Sequence, residues 1–387
     1  MDQTDSTVLL HRLQEIPDPR HKRGQSYEWR VLMGIICAAL AAGRSTATSI
    51  SAWAHEHRSA ILAQLCPAKR RIPSLSTIRR AVVTAKAAEV EKQVTAHVTA
   101  LDTADPTPGT QTGPSGQVWR GQAIDGKDVR GASAHGTPVF LVSLVRHESG
   151  YVLQQVAVRE KSNEITAVPA LLAGRDLRGT VTTMDALLTQ RNLAQQILDQ
   201  GGHYLMVVKP NQPDMWAALD LLFREPPVPR EPGDIRSYTT QERGHGRLET
   251  RTLESSTALN AYVRWPGVGQ VLRRTYQRVR IKTGMLETRV TYGISSLRQE
   301  QAGLPQLATF WRWHWTIENP VHYVRDETLR EDRGQIHSGQ GAQVLAALRN
   351  VILSQLRYQG WTNIAAACRH YGASAQQALQ LIGAGAT

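Results

Sequence analysis

The sequence predicts an α/β protein behind an all-helical N-terminal domain, and three observations carry that prediction. Up to residue 101 the apolar residues recur at helical spacing. Between 102 and 116 that periodicity is lost to Pro, Gly and Thr. Beyond it, short β-like runs alternate with amphipathic helices. A chain of 387 residues has room for two or three domains and a sizeable core. With 41% hydrophobic and 20% charged residues it falls among globular chains and not among disordered ones.

Charge and cysteine usage narrow the function classes. A formal net charge of +12 favours an anionic partner, nucleic acid first. Cys37, Cys66 and Cys368 are far apart and form no CxxC pair, which argues against a disulfide framework or a zinc site and for a reducing compartment. The most apolar run, Val31 to Ala42, is about half the length that a bilayer span needs, so a buried helix is expected and no membrane partner. The N-terminal MDQTDSTVLLHR carries acids where a secretory signal needs positive charge, and cytoplasmic residence is expected.

Helices are expected over 7–16, 27–43 and 46–58, with Pro17 and Pro19 separating the first two and Ser45 or Thr46 capping the third. Pro73-Ser74 then introduces a basic helix that presents Arg79 and Arg80 behind Lys69, Arg70 and Arg71. Two readings stand for it, a DNA-contacting turn and helix or a solvated basic face. A long helix from about Ile78 to Leu101 leads into the linker 102–116.

Strands follow at Val118–Asp125, Val139–Val145, Tyr151–Val158, Thr180–Met184 and Tyr204–Val208, with helices at Glu164–Ala173 and Gln190–Gln200. This order, βββαβαβ, is the ribonuclease H-like arrangement, in which the first and fourth strands are neighbours. Asp125 and Asp185, each placed directly after an apolar strand, would then meet. From 213 to 296 a β-rich insertion is expected, holding a Pro-rich loop (Glu225 to Gly233) and the runs RLETRTLE, QVLRRTYQRVRI and ETRVTYGI. In the second run Arg274, Arg278, Arg280 and Lys282 share one strand face, as a phosphate-contacting ribbon or as a positively guarded sheet edge. Helices resume near Leu304. The expected organisation is a helical domain 1–101, the linker, a catalytic core of 117–212 and 297–358, the insertion 213–296, and C-terminal helices 359–387.

The chemistry concentrates in WRWHWTIENPVHYVRDETLREDRG, Trp311 to Gly334. Taken as one α-helix, it lays Trp311, His314, Glu318, His322 and Arg325 along a single stripe, which suits a metal-bound phosphate site; the other reading is that the tryptophans are core and the charges a solvated face. Pro320 would kink this helix or restart it, with Asn319 as the new cap. Two divalent ions roughly 3.5 to 4 Å apart need carboxylates that bridge and flank them. Asp125, Asp185 and Glu318, from two strands and a helix, supply three.

PDPRHKRGQSYEWRVLM, AAGRSTATSISAWA, AIDGKDVRG, TMDALLTQRNLAQQILDQGGHYLMVVKPNQP and HWTIENPVHYVRDETLRED, ending in AALRN, occur in one order. Over about Ile16 to Leu356 they make the chain resemble the DDE transposases of bacterial insertion sequences, in the H-repeat-associated, Rhs-linked group. The resemblance implies that Asp125, Asp185 and Glu318 are the catalytic and metal-binding triad, holding two Mg2+ ions with Mn2+ as substitute. It further implies that Lys209, Asn211 and Gln212 contact DNA; a plain turn is the other reading of these three. Relatives carry Tyr, Arg and Lys where this chain has Trp311, His314 and Arg325. Trp311 is therefore expected to stack a base, Arg325 to hold a phosphate, and His314 to do so only when protonated. His322 is expected among the DNA contacts, and with Asp326 it would orient the glutamate or a metal-bound water; a surface i, i+4 pair is the other reading of these two.

The resemblance also implies double-stranded DNA as partner, a homodimer on DNA, nucleoid association when bound, and metal-dependent hydrolysis and strand transfer at the ends of an insertion sequence. His314 and Pro320 motivate a rival, a decayed or domesticated DNA-binding copy. A structure-selective nuclease on the same fold is a third reading. The residues leave open whether the N-terminal helices or the insertion read the DNA sequence.

Overall fold

In VLMGIICAALA no face is polar, and the helix it forms, α2 (Trp29–Ala41), buries twelve of its thirteen residues. This is the expected buried helix. In a computed structural model that describes residues 8–130, 139–158, 164–226, 235–334, 336 and 338–385, the chain forms two compact units. The first comprises Met1–Pro108, Gly126–Ala167 and Thr316–Thr387, and the second Gly109–Asp125 and Val168–Trp315. Most of the expected Pro-rich loop lies outside the described residues.

In the first unit α2 is surrounded by α1 (Leu9–Gln14), α3 (Ala47–Glu56), α5 (Leu75–Thr84) and the C-terminal helices α11 (Gly341–Tyr358), α12 (Ile364–Ala373) and α13 (Ala375–Leu381). Thr46 caps α3 as expected, in a reciprocal box with Ser49. A further helix, α4 (Arg58–Gln64), was not expected. The long helix expected from Ile78 is two: Ser74 caps α5, the chain breaks at Ala85 and Lys86, and α6 runs Ala87–Ala104. The antiparallel pair β3 (Phe140–Arg146) and β4 (Val152–Val158) follows, and β3 lies beside β2 (Val118–Asp128), a strand that runs through both units.

In the second unit β2 pairs in parallel with β5 (Thr180–Met184), and β5 in parallel with β6 (His203–Val208). The run β7 (Arg236–Gly244), β8 (Arg247–Ser256), β9 (Gln270–Arg280) and β10 (Leu286–Ser295) is antiparallel throughout. β10 hydrogen-bonds directly onto β6, so the β-rich segment extends the sheet that carries the aspartates. Thr110–Thr112 forms a short strand, β1, on β2, within the stretch read as linker. Helix α10 (Leu304–Trp313) closes one face, burying Leu307, Phe310 and Trp311 with Val181, Leu205 and Leu272. Helix α7 (Glu164–Leu172) bridges to β5, α8 (Arg191–Asp199) links β5 to β6, and α9 (Pro213–Arg224) packs on β9 and β10.

Two expectations change here. β2 continues three residues beyond Asp125, so that acid lies within the strand and not at its end. β9 sits between β8 and β10, so its arginines guard no edge. Arg273 instead donates to Glu254 at 2.6 and 2.9 Å, and Arg278 pairs with Glu287. Among the described residues no helix is long and apolar enough to cross a membrane.

Candidate active site

The register of β2 on β5 runs from Arg120 opposite Thr180 to Ile124 opposite Met184. Asp125 is the next residue on β2 and Asp185 the first residue after β5, so the two acids follow the last paired positions of neighbouring parallel strands. Both are partly exposed. Oxygen donors reachable by water fit a divalent cation of the Mg2+ type.

Asp185 is held in place by its own loop. Its Oδ1 accepts from the Leu188 N–H at 3.0 Å, while Thr189 Oγ1 lies 2.9 Å from the Asp185 carbonyl and 2.6 Å from that of Val207. Asn211 Nδ2 donates to the Ala186 carbonyl at 2.7 Å, and Gln212 Nε2 to that of Thr189 at 3.1 Å. The amides expected at DNA are thus bracing the loop behind the aspartate. Lys209 is exposed and has no ion pair among the described residues.

His314 follows α10 in a single tight turn, His314–Thr316, and its Nδ1 lies 3.0 Å from Thr183 Oγ1. Thr183 is two residues before Asp185, and the imidazole lies close enough to that aspartate to feel its charge. Burial pushes the His314 pKa down to about 4; the Asp185 charge opposes this and the Arg274 charge adds to it. The imidazole is neutral near pH 7.

Trp311 does not present a face for a base. It is 3% exposed and packs against β10, where a Cβ on Gly293 would come within 2.7 Å of the indole edge. The stacking role expected of it is corrected to a core role. The exposed aromatic of this unit's stretch is Trp315, at 52%.

In the first unit, Ile317–Thr328 winds as a π-helix, with Pro320 inside it and its carbonyl accepting from Arg357. The helix does not restart at Asn319; the wider i to i+5 turn accommodates the proline. The single stripe is lost with the α-period. Glu318 is exposed, whereas His322 and Arg325 are buried. His322 Nδ1 lies 3.9 Å from Glu318 Oε2, close enough for the two to share an ion. Burial, with Arg325 and Lys127 nearby, holds the His322 pKa well below the ordinary value, so a neutral nitrogen donor is available.

Arg325 is 0% exposed and gives both nitrogens of its fork to Glu331, at 3.0 and 2.9 Å. A phosphate cannot reach it, and the phosphate-holding role expected of it is likewise corrected. Arg349 Nη1 lies 3.5 Å from the same glutamate, and Lys127 pairs with Asp326 and approaches Glu331 at 4.0 Å. Burial would raise the Glu331 pKa, but Arg325 and Arg349 outweigh it and the carboxylate stays charged. Lys127 and Glu331 were not expected in this cluster, although both lie inside AIDGKDVRG and HWTIENPVHYVRDETLRED. Arg79 and Arg80 are exposed on α5 with no carboxylate partner among the described residues.

The class that this architecture and its paired aspartates suggest is also the one the sequence belongs to. Residues 105–354 match the transposase DDE domain and residues 10–98 the DDE_Tnp_1-associated region, and the chain is a member of that DDE transposase family. It is 32% identical over 243 residues to the putative transposase YncI of Escherichia coli O157:H7, covering 61% of each chain. To the H repeat-associated putative transposase YhhI of Escherichia coli K12 it is 30% identical over 243 residues, covering 60% of this chain and 63% of that one. The matched region therefore spans about three fifths of these relatives. A cryo-EM structure of a piggyBac transposase synaptic complex with hairpin DNA aligns with all of this chain and 80% of its own at 10% identity, with a TM-score of 0.47, too distant a likeness to carry an argument.

Proposed function

We propose that the protein is a DNA transposase that cuts and rejoins DNA at the ends of an insertion sequence. The observation that carries this is the placement of Asp125 and Asp185 immediately after the last paired positions of two neighbouring parallel strands, in a chain of the DDE family. The strand order supports a ribonuclease H-like core: β4-β3-β2-β5-β6, with β4 antiparallel to β3 and with β5 and β6 parallel to β2. Asp125, Asp185 and Glu318 would hold Mg2+, or Mn2+ in its place, with His322 as a neighbouring donor. When bound, such ions supply Lewis-acid activation of the attacking oxygen and stabilisation of the leaving one.

The chain's own residues do the rest. The Thr189, Asn211 and Gln212 brace fixes Asp185 before DNA arrives. Hydrolysis breaks one phosphodiester and leaves a 3′ hydroxyl, which then attacks a target phosphodiester, so no protein intermediate is required. The exposed Lys209, Arg79 and Arg80 are the phosphate contacts. Base stacking falls to Trp315 and Tyr323, the latter 62% exposed, in place of the buried Trp311. Double-stranded DNA and a second copy of the chain on it are the partners, in the cytoplasm and at the nucleoid.

The test is cleavage and end joining by the full chain on DNA spanning the borders of its own gene, with Mg2+ or Mn2+, beside Asp185→Asn. Cutting at fixed borders that disappears in the variant supports the transposase. Tight binding without cutting in either protein sides with a decayed DNA-binding copy, a second reading that the neutral His314 and the buried Arg325 favour. Cutting of branched DNA without border preference or joining would identify a structure-selective nuclease instead.

A further inference from the structure

Within the second unit, β7, β8, β9 and α10 enclose a pocket of about 90 Å³ whose lining includes Tyr238, Thr240, Arg251, Arg274, Trp311 and Arg312. Three guanidiniums face one small cavity. Their carboxylates are fewer: Glu242 is shared by Arg251 and Arg312, and Glu249 pairs with both Arg251 and Arg247. Arg274 is the unmatched one. Across the ladder Arg273 faces Glu254 and Arg278 faces Glu249 and Glu287, but Arg274 faces Leu253 and Thr291.

Among the described residues the Arg274 side chain has neither an ion pair nor a hydrogen bond. Its guanidinium lies 5.8 Å from the Trp311 ring centroid. Burial, reinforced by the charges of Arg251 and Arg312, lowers its pKa from the ordinary guanidinium value. A partly buried cation without an anion is costly, and its neighbours add repulsion; an incoming anion relieves both. The cavity is large enough to admit one tetrahedral oxyanion.

We propose that this pocket is a phosphate subsite that takes one phosphodiester group of a DNA strand, with Arg274 at its base and Arg251 and Arg312 flanking it. Guanidinium forks suit this ligand, and Thr240 and Tyr238 add hydroxyls to the wall. The assignment rests on reading the chain as a DNA-binding transposase. Free inorganic phosphate shares the chemistry and is the competing source.

The test is DNA affinity of the full chain across a range of salt, by fluorescence anisotropy, for the natural protein, Arg274→Gln, Arg274→Lys and Arg312→Gln. One lost phosphate contact makes the slope of log K against log salt shallower by about 0.9 on duplex DNA. That change is expected in Arg274→Gln and Arg312→Gln, with Arg274→Lys keeping most of the natural slope. Arg312 stands on the rim, so its variant decides if Arg274→Gln does not fold. Natural slopes in both glutamine variants would overturn the subsite. So would a calorimetric titration in which inorganic phosphate saturates the pocket while DNA affinity and slope ignore Arg274. Loss of cutting in Asp185→Asn with an unchanged slope keeps the two proposals separable. A natural protein that binds no DNA at all would end both.

Discussion

Thr183 Oγ1 and His314 Nδ1 stand 3.0 Å apart, tying β5 one residue before its end to the turn that follows α10. The contact seats a neutral imidazole where relatives are expected to carry arginine. The groups that face it are Asp185, which favours the charged form, and Arg274, which with burial disfavours it. DNA affinity is therefore expected to show no step from this residue between about pH 6 and 8, where an unperturbed imidazole would titrate. The check is affinity against pH for the natural protein and His314→Gln. Parallel curves are the expected result, and a step near neutrality lost in the variant would show that His314 binds phosphate as a cation.

Acid should weaken the first unit through His97. Its side chain is fully buried, with Nε2 2.8 Å from Gln355 Oε1 on α11, and burial lowers its pKa to about 4. The unfolded chain takes up this proton near 6.5 and the folded chain near 4, so between those values the unfolded state holds more protons. Stability is full above that window and falls as the pH drops through it, by about 2 kcal/mol from pH 7 to 5 for this group. In urea titrations at the two pH values, His97→Gln should lose most of that difference. An equal loss in both proteins would assign the acid lability elsewhere.

The parts of the fold that follow from period and strand order were legible in the sequence. VFLVSLV is apolar on both faces, which fits a strand buried in the middle of a sheet, and β2 and β5 are neighbours as their order required. What the chain does with its motif residues was not. Trp311 and Arg325 have the right chemistry at the right spacing, yet each is taken up by a partner that spacing does not reveal: Gly293 on a strand, and Glu331 six residues on. The π-turn around Pro320 was hidden for a related reason. A proline reads as a helix breaker, and only the wider turn makes it tolerable. The docking of β10 on β6 needed a free sheet edge, which strand patterns alone do not assign.

Gly293 is where that docking and the core of α10 meet. A Cβ there would stand 2.7 Å from the Trp311 indole and 3.0 Å from the Met206 carbonyl on β6, and neither side is a flexible chain end. Gly293→Ala is expected to cost about 1–3 kcal/mol through overpacking. It should also raise hydrogen exchange at the β6 and β10 amides, from Leu205 to Val208 and Tyr292 to Ser295. Unchanged thermal unfolding would mean that the sheet moves away from the helix at little cost.

Glu331 makes the sharpest stability prediction. It is 1% exposed, and it is the anion against which Arg325 and Arg349, at 0% and 2%, are buried. Glu331→Gln keeps the shape and removes the charge, leaving those two guanidiniums and Lys127 to repel one another. Breaking a buried pair from one side costs about 3–5 kcal/mol, whereas replacing both members by apolar residues is far milder. Arg325→Met with Glu331→Leu should therefore recover part of what Glu331→Gln loses, although Arg349 then keeps only its donation to the Ser45 carbonyl, at 3.2 Å. The readouts are denaturant midpoints and exchange protection over Ile317–Thr328. That segment is expected to loosen in Glu331→Gln, because Arg325 is what pins its C-terminal end. If its protection is unchanged, the π-helical turn that carries Glu318 is held by its own packing, and Glu331 serves only to neutralise the core beneath it.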